Sequence, residues 1–313
     1  MSQDYWIYTI TILVNFLIFI YIKKLSLLFK LYDIPDNVRK IHSHPVPLLG
    51  GFIFFTNFLI LLAIYIFDIN NGIFPNDFFL NNRSYFSFFF PIITLFFLGI
   101  YDDYRPLSPN FKLIYLLIVI SITTLIDQDL VIKEIILSFS IRDSIYLSNI
   151  IELQAASQIF TILCFVLFIN AFNMFDGINL QSGLYTLGVF IIFTYIGVPY
   201  YFVIFFSIPL IVFLLLNRNS QIFLGDSGTF IISYLIAFTF IKTYNSGESL
   251  YADNIFIIML IPGIDLLRIS IQRIINGNHP FHPDRSHLHH LLINRYSYIS
   301  SLLITIFLCF LPF

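Results

Sequence analysis

Residues 200–230 read YYFVIFFSIPLIVFLLLNRNSQIFLGDSGTF, an apolar run followed by a short polar motif. A helix that spans a bilayer needs about 20 mostly apolar residues, and the run from residue 200 to 216 is close to that length. The same alternation recurs along the chain and predicts spans at 5–22, 48–67, 85–100, 110–126, 153–170, 180–197, 200–216, 229–243, 254–275 and 297–313. We therefore predict an all-α fold, a polytopic membrane helix bundle of about ten spans in which residues 1–313 form a single integral-membrane domain.

The composition excludes a soluble protein. Hydrophobic residues make up 58% of the 313 residues and charged residues only 11%, whereas soluble proteins carry roughly 25% charged residues. The formal net charge of −2 gives no reason to expect a nucleic-acid partner. Cys164 and Cys309 lie far apart in apolar runs, which predicts neither a disulfide framework nor a cysteine-based metal site.

Basic residues predict the orientation, because lysine and arginine are retained on the cytoplasmic side of a membrane. With the N-terminus outside, the inner loops and their flanks hold Lys23, Lys24, Lys30, Arg39, Lys40, Arg105, Lys112, Arg218, Arg268, Arg273, Arg285 and Arg295. The outer segments hold Arg83, Lys133, Arg142 and Lys242. This bias predicts that both termini face outward and that the odd-numbered loops face the cytoplasm.

Polar motifs are concentrated at the predicted cytoplasmic ends of the spans. They are RKIHSHPVPLLGG (39–51), GIYDDYRPLSP (99–109), NAFNMFDGINL (170–180), IFLGDSGTF (222–230) and HPFHPDRSHLHH (279–290). The outer loops, such as DQDLVIKEIILSFSIRDS (127–144), are expected to be ordinary solvated connections. Five polar segments on one side predict a single site assembled from many helix ends.

Two acidic motifs are candidates for catalysis and metal binding. Asp102 and Asp103 follow an apolar helix, where carboxylates are costly unless a cation or a donor pairs with them. Such oxygen ligands suit Mg²⁺ or Mn²⁺, although the pair is equally consistent with a helix end at the interface. Asp226 lies between two glycines just before a predicted helix, which favours a metal-bound diphosphate at that helix N-terminus. The alternative is that Asp226 or Ser227 is the N-cap of the helix.

Asn170, Asn173 and Asp176 recur at a spacing of three residues, which places them on one face if the helix continues there. Gly177 is expected to end that helix. The amides and the carboxylate could ligate a metal or recognise a sugar or a base. Hydrogen bonding between helices of the bundle is the alternative.

Five of the seven histidines lie between residues 279 and 290, and they are His279, His282, His287, His289 and His290. A zinc site is one interpretation, since histidine is a frequent zinc ligand. We favour a surface that binds a diphosphate, because Arg285 stands among these histidines and its planar fork matches phosphate oxygens. A solvated basic loop is the third alternative.

Two further charged motifs lie outside these segments or at their edge. Lys40 precedes a loop stiffened by Pro45 and Pro47, and it could neutralise a phosphate or only determine topology. Asp265 and Arg268 lie within a predicted span at a spacing of three residues. Charge inside a membrane suggests function, but we interpret these two residues as a local structural ion pair.

The ordered set of motifs resembles the polyprenyl-phosphate N-acetylhexosamine-1-phosphate transferases of glycosyltransferase family 4, and is most similar to their WecA-type branch. The resemblance runs from about residue 35 to residue 292. It implies transfer of a sugar-1-phosphate, such as that of N-acetylglucosamine, from a UDP-sugar to undecaprenyl (polyprenyl) phosphate, with release of UMP, as the first step of a cell-surface glycan. It also implies Mg²⁺ dependence and a bacterial inner membrane with a cytoplasmic active site, and it is compatible with a homodimer.

The resemblance assigns roles by position in the motifs. It implies that Asp226 and Asn173 bind the metal, and that Asp102 and Asp103 are catalytic and lie beside the acceptor phosphate. The implied substrate-binding residues are Lys40, Asn170, Asp176, Asn179, Arg285, His287, His289 and His290.

Three positions depart from the family pattern. Asn179 and Leu180 stand where many bacterial members have Asp and Gly, and Leu48 stands where an Arg is often present. The departures at Asn179 and Leu180 leave the donor sugar open, and Leu48 removes one possible phosphate contact. A secondary transporter or a lipid carrier is the alternative function, but it would be expected to place ionisable groups near mid-span and to show inverted repeats.

Overall fold

The computed structural model describes residues 5–35, 44–67, 74–138, 150–247, 250–277 and 286–311. Six residues that the sequence analysis named lie outside these ranges: Arg39, Lys40, Arg142, His279, His282 and Arg285. Their predicted roles stay predictions.

Within the described ranges the chain forms eleven α-helices: α1 (Tyr5–Phe29), α2 (Gly50–Ile66), α3 (Asn82–Tyr104), α4 (Pro109–Ile126), α5 (Ser157–Phe175), α6 (Gln181–Tyr195), α7 (Tyr200–Asn217), α8 (Gly225–Asn245), α9 (Ala252–Ile275), α10 (Leu288–Ile293) and α11 (Tyr298–Phe310). Each predicted span coincides with one helix, and the short α10 is the helix that the hydropathy pattern did not predict. The prediction of a helical bundle is confirmed.

The outer surface of the bundle is suited to lipid. Among the described residues, six helices are long and apolar enough to cross a membrane, namely α1, α3, α4, α5, α7 and α9, while α2 and α11 are apolar but shorter. Large apolar side chains such as Leu13 of α1 and Phe97 of α3 are exposed, which water would penalise and lipid does not. The protein is a multi-pass membrane protein.

Helix α8 lies at the centre of the bundle. Its residues from Ser227 to Tyr244 are all buried, and α2, α3 and α5 pack around it. Because its neighbours are helices rather than lipid, α8 can hold Ser233, Thr239 and Thr243. Their hydroxyls donate to carbonyls one turn earlier, so they leave no buried polar group without a partner.

Three helices meet at glycines near the polar motifs, at what we call the motif end of the bundle. A Cβ atom added to Gly99 of α3 would lie 2.2 Å from Ser227 Cα of α8, and one added to Gly51 of α2 would lie 2.3 Å from Ser227 Oγ. No side chain fits in either place. Gly51 and Gly99 therefore let the start of α2 and the end of α3 approach the first turn of α8.

The loop before α2 is anchored to the segment before α8. Strand β1 (Tyr32–Asp33) pairs antiparallel with β2 (Val46–Pro47), and Leu48 forms a parallel bridge with Phe223. The first amide of α2, that of Gly50, donates to the Phe223 carbonyl at 2.9 Å. These bonds hold the α2 and α8 N-termini side by side at the motif end.

A buried ion pair joins α4 and α8 at the opposite end of the bundle. Lys242 Nζ lies 2.8 Å from Asp127 Oδ2, and these side chains are 3% and 1% exposed. Ser87 of α3 donates to the same carboxylate oxygen at 2.5 Å, and the Tyr234 hydroxyl donates to the Ser87 carbonyl. The prediction of an ordinary solvated loop is therefore wrong for Asp127, because three helices enclose its carboxylate.

A short pair of strands covers the same end. Strand β3 (Glu134–Ile136) pairs antiparallel with β4 (Ile150–Glu152). The Ile136 amide donates to the Tyr244 hydroxyl at 2.7 Å, and that hydroxyl donates to the Glu134 carbonyl at 2.9 Å. Strands of two or three residues are too short for an alternating pattern, so the sequence did not predict β1 to β4.

Candidate active site

Asp102 lies in the last turn of α3 and is held by the start of α4. The Leu107 amide donates to Asp102 Oδ1 at 2.6 Å, and Lys112 Nζ lies 2.8 Å from Asp102 Oδ2. Helix α4 begins with Ser108 as N-cap, whose hydroxyl accepts from the Phe111 amide, and with Pro109 in its first turn. This start places Lys112 on the first turn of α4, directly opposite Asp102.

Lys112 also contacts the carboxylate of α8. Its Nζ lies 3.2 Å from Asp226 Oδ2, while the Asn173 amide of α5 donates to Asp226 Oδ1 at 3.0 Å. The same amide nitrogen lies 2.8 Å from Thr229 Oγ1. Side chains from four helices therefore meet within hydrogen-bonding distance, and the predicted pair Asn173 and Asp226 is among them.

Asp103 serves the first turn of α8. Its Oδ1 accepts from the Asp226 amide at 2.8 Å, and its Oδ2 accepts from the Ser227 amide at 3.3 Å and the Ser227 hydroxyl at 3.0 Å. Gly225 has a φ of +72°, and a Cβ atom there would lie 2.6 Å from Asp103 Oδ2.

A carboxylate from another helix thus takes the capping position at the α8 N-terminus. The alternative interpretation, that Asp226 or Ser227 is the N-cap, is wrong, because α8 begins at Gly225 and both residues lie within its first turn. Their backbone amides are the donors whose hydrogen bonds the Asp103 side chain accepts.

Asp176 ends α5 one residue before Gly177, the residue that was expected to end this helix. It is the C-cap residue and is followed by Gly177. The Ser182 hydroxyl of α6 donates to Asp176 Oδ1 at 2.5 Å. Loss of hydration raises the pKa of Asp176 to about 6, although the Ser182 hydrogen bond works in the opposite direction.

Asp265 of α9 holds the histidine-rich segment. Its Oδ2 lies 3.0 Å from His287 Nδ1, and its Oδ1 accepts from the Leu288 amide at 3.1 Å. Arg268 pairs with Asp265 at 2.8 Å and donates to the Ser286 carbonyl at 2.5 Å. The predicted ion pair is confirmed, and it does more than predicted because it fixes the start of α10.

His289 packs against the loop that follows α5. A Cβ atom added to Gly177 would lie 2.0 Å from His289 Nε2, and the His287 and His289 rings are parallel with centroids 5.6 Å apart. Burial, with the neighbouring His290 and His287, lowers the pKa of His289 to about 3. Neutral imidazole is therefore the form present near pH 7, and the contact brings the histidines to the end of α5.

Asn170 and Asn179, which were both predicted to bind substrate, form hydrogen bonds within the protein. The Asn170 amide donates to the Val166 carbonyl of its own helix at 2.7 Å. The Asn179 amide donates to Ser220 Oγ at 2.6 Å, and the Asn179 carbonyl accepts from the Tyr298 hydroxyl at 2.8 Å. Asn170 thus lies one turn before Asn173, and Asn179 is tied to the turn between α7 and α8.

Lys112 is the main residue of this cluster that the sequence analysis did not assign to the site. It was counted only among the basic residues that set the orientation. The signal was present, because Ser108 and Pro109 mark a helix start and place Lys112 in the first turn, within reach of Asp102. Thr229 and Ser182 carried no comparable signal, whereas Asp265 was noted as a charge within a span and interpreted as half of a structural ion pair.

The side chains that meet at the motif end supply oxygen atoms of the kind that suits a magnesium-type cation. In the part of the chain that the structure describes, no group of three or more His, Cys, Asp or Glu side chains is arranged to hold a metal ion. Asp102 and Asp226 do converge, with the Lys112 ammonium between them. Mg²⁺ is usually bound by one or two protein carboxylates together with substrate phosphates, and the Asp226 carboxylate, with the Asn173 amide beside it, is of that kind.

The family described as glycosyl transferase family 4 matches residues 85–244, about half of the chain. The chain belongs to glycosyl transferase family 4. The match runs from the first turn of α3 to the end of α8 and includes Asp102, Lys112, Asn173 and Asp226. The histidine-rich segment of this family 4 transferase lies beyond the matched region.

Relatives of this family 4 transferase cover most of its length. An undecaprenyl-phosphate alpha-N-acetylglucosaminyl 1-phosphate transferase of Salmonella typhi is 25% identical over 291 residues, which cover 88% of this chain and 73% of the relative. A transferase of the same name from Thermotoga maritima is 26% identical over 283 residues, covering 88% and 77%. A probable undecaprenyl-phosphate N-acetylglucosaminyl 1-phosphate transferase of Bacillus subtilis is 27% identical over 283 residues, covering 87% and 72%.

Proposed function

We propose that this transferase moves N-acetylglucosamine 1-phosphate, or the 1-phosphate of a related N-acetylhexosamine, from a UDP-sugar to undecaprenyl phosphate. The relatives from Salmonella typhi and Thermotoga maritima carry this acceptor and this sugar in their names. The observation that carries the proposal is the convergence of Asp102, Lys112 and Asp226 from three helices at one end of a membrane bundle. The product would begin a cell-surface glycan.

The proposed reaction is a phosphoryl transfer between two anions. An oxygen of the acceptor phosphate attacks the β-phosphorus of the UDP-sugar, and the bond from that phosphorus to the bridging oxygen breaks. UMP leaves with the electron pair, and the product is a lipid-linked sugar diphosphate. Because both reactants are anionic, the site must offset their repulsion and stabilise the charge on the departing UMP.

The contacts at the motif end support distinct roles for the charged residues. Lys112 supplies a positive charge that already bridges two carboxylates and can pair with a phosphate. Asp103 holds the first turn of α8, and with it Asp226, which supports a positioning role for Asp103. Asp102 is the carboxylate left beside Lys112 as the candidate for contact with the acceptor.

Mg²⁺ (or Mn²⁺) belongs to the proposal as the cofactor, with Asp226 and Asn173 as the residues that hold it. When bound, the cation would neutralise charge on the donor diphosphate. The oxygen atoms of Asp226 face Lys112 on one side and Asn173 on the other. The side chain is 26% exposed, so the carboxylate is open to a ligand.

The histidine-rich segment is the proposed contact for the donor diphosphate. Asp265 orients His287, and the Gly177 backbone leaves room for His289, so these rings are held beside the end of α5. Arg285 precedes this segment and would add a guanidinium group. Asn179 and Leu180, which depart from the family pattern, lie on the loop between α5 and α6, which makes that loop the proposed source of sugar selectivity.

We further propose a bacterial inner membrane with the motif end on the cytoplasmic face, on the evidence of the bias in basic residues. The test is a Ser108→Cys variant in intact spheroplasts and in inverted vesicles. A membrane-impermeant maleimide should label position 108 only in inverted vesicles. Labelling in intact spheroplasts would reject this orientation.

The function is tested with the purified full-length protein in detergent, with undecaprenyl phosphate, Mg²⁺ and a panel of UDP-sugars. Release of UMP and formation of a lipid-linked sugar diphosphate are measured together. UDP-N-acetylglucosamine should give both products in equal amounts, and removing the cation with EDTA should stop the reaction. Absence of UMP with every donor of the panel would overturn the proposal, and UMP release without lipid product would indicate hydrolysis instead of transfer.

A further inference from the structure

An apolar groove runs between α1, α2 and α3 on the surface of the bundle, and we call it the α1–α3 groove. It has a volume of about 810 Å³ and is lined mostly by aromatic side chains, including Phe29, Phe52, Phe55, Phe96, Phe97 and Tyr104. The rings of the lining pack against one another: the Phe55 and Phe96 rings stack with centroids 3.7 Å apart, and the Phe29 and Phe52 rings lie 4.3 Å apart.

The groove opens sideways, toward the surface that faces lipid. Phe29, Leu59 and Phe97 are 41%, 44% and 59% exposed, although each lines the groove. A bilayer would fill such an opening with hydrocarbon. The groove is thus accessible to a lipid chain without passage through water.

The depth of the groove matches one leaflet. Its lining on α2 runs from Phe52 to Leu59, and its lining on α3 runs from Phe96 to Tyr104. At 1.5 Å per helical residue these stretches are about 10 to 12 Å long. One leaflet contributes roughly 15 Å of the hydrocarbon core of about 30 Å, so the groove suits one chain of a lipid that occupies a single leaflet.

Two cations are adjacent in sequence to residues that line the motif end of the groove. Lys30 lies between Phe29 and Leu31, which both line the groove, and its φ of +54° turns the chain out of α1. Arg105 follows Tyr104, and its guanidinium carbon lies 5.7 Å from the centre of the Tyr104 ring. Both cations are exposed. An apolar groove that ends between two cations is complementary to an acyl chain joined to an anionic head group.

We propose that the α1–α3 groove binds an anionic phospholipid, with one acyl chain along the aromatic wall and the phosphate between Lys30 and Arg105. The site is separate from the catalytic cluster. Phe97 and Tyr104 are exposed on the lipid side of α3, whereas Asp103 contacts α8 on its inner side. The proposal does not rest on the proposed reaction.

A tryptophan reporter in the groove tests the proposal. Trp6 is the single tryptophan of the chain, 40% exposed on the N-terminal turns of α1 and outside the groove. A Trp6→Phe, Phe97→Trp variant moves the fluorophore into the groove, and the native protein is its matched control. Both full-length proteins are placed in phosphatidylcholine vesicles with a small fraction of phosphatidylglycerol whose chains are brominated, and quenching is compared with equal amounts of brominated phosphatidylcholine.

The reporter at position 97 should be quenched by brominated phosphatidylglycerol as if that lipid were enriched at least about fivefold over the bulk, since each cation near the surface favours an anionic lipid by about that factor. Trp6 should report the bulk fraction of either lipid. In the reporter protein, Lys30→Gln with Arg105→Gln should abolish the enrichment. The matched change, Lys23→Gln with Lys24→Gln, also removes two positive charges, both from α1, and should preserve the enrichment.

Three outcomes overturn the proposal. Equal quenching by the two brominated lipids would show that the groove does not select anionic lipid, and enrichment that survives loss of Lys30 and Arg105 would remove the assigned phosphate contact. The third outcome concerns the acceptor. Unlabelled undecaprenyl phosphate that displaces brominated phosphatidylglycerol more strongly than unlabelled phosphatidylglycerol does would assign the groove to the acceptor lipid instead.

Discussion

Helices α4 and α8 carry an aspartate–lysine contact at each end, and the two contacts differ mainly in their exposure. At the motif end, Lys112 lies 2.8 Å from Asp102 and 3.2 Å from Asp226, with side-chain exposures of 24%, 8% and 26%. At the opposite end, Lys242 lies 2.8 Å from Asp127, with exposures of 3% and 1%. Both contacts pair a lysine ammonium with aspartate carboxylates. Only the more exposed contact, at the motif end, can exchange a partner for a ligand.

The buried pair of Asp127 and Lys242, which we call the sealed pair, is a structural element. The Ser87 hydroxyl donates to the Asp127 carboxylate, and the Tyr234 hydroxyl holds Ser87 through its carbonyl. Loss of one partner of the pair would leave a charge in a medium that does not solvate it. We call Lys112, Asp102 and Asp226 the open set. Each of its contacts contributes less to the stability of the fold, because solvent screens the charges. Weak, accessible charge pairs are what a site for anionic substrates needs, since a phosphate must replace one of the existing partners.

The largest expected effect follows from loss of the open carboxylate on α8. Asp226→Ala should lower kcat/KM by at least about a thousandfold, because it removes a proposed metal ligand and a partner of Lys112. The melting temperature should change little. Asp129→Ala makes the same chemical change at an exposed aspartate of the opposite end and should keep full activity. UMP release at the wild-type rate in Asp226→Ala would reject the site.

Substitution in the sealed pair should lower the stability of the fold and leave the activity unchanged. Asp127→Ala leaves the Lys242 ammonium buried without its carboxylate and should lower the free energy of unfolding by about 3 kcal/mol. Thermal melting in detergent measures this loss, and turnover per folded molecule should be unchanged. The double variant Asp127→Leu, Lys242→Met should recover much of the stability. A melting temperature for Asp127→Ala within one or two degrees of wild type would contradict the assigned role.

Lys112 separates charge pairing from fold stability at the motif end. Lys112→Gln should lower kcat/KM by about 30-fold, equivalent to about 2 kcal/mol for a lost charged hydrogen bond. Lys112→Arg keeps the charge and should retain more of the activity. Both proteins should melt close to the wild-type temperature. If Lys112→Gln instead destabilised the fold as strongly as Asp127→Ala, the contrast between the two ends would be lost.

The smallest expected effect concerns the loop that departs from the family pattern. Leu180 has a φ of +69°, a conformation that is unfavourable for a residue with a branched side chain, and its amide donates to Asn217 Oδ1 at 2.6 Å. Leu180→Gly should therefore raise the free energy of unfolding by up to about 1 kcal/mol, after the greater freedom of glycine in the unfolded chain is counted. Thermal melting tests this, with Leu187→Gly on the next turns of α6 as the control that should destabilise. A fall in stability for Leu180→Gly would mean that the Leu180 side chain packs more strongly than its backbone is strained.

Some parts of the site could be predicted because their signals are local. The family resemblance paired Asn173 and Asp226 through the motifs that carry them, and the two side chains lie 3.0 Å apart; their binding of a metal stays a proposal. The ion pair of Asp265 and Arg268 follows from a spacing of three residues on one helix. The roles of Asp103 and Lys112 depend instead on a partner more than a hundred residues away in one case and on two partners in the other, which no local pattern encodes.

The sequence by itself determined that this chain crosses the membrane many times and carries its polar motifs at the ends of the spans. These properties depend on the transfer of each segment from water to lipid, which is a sum over neighbouring residues. Only the tertiary structure decided which aspartate caps α8, which lysine bridges two carboxylates and which ion pair is sealed from solvent. Those outcomes depend on how closely the helix ends approach one another. Gly51, Gly99 and Gly225 permit that approach because they have no side chain.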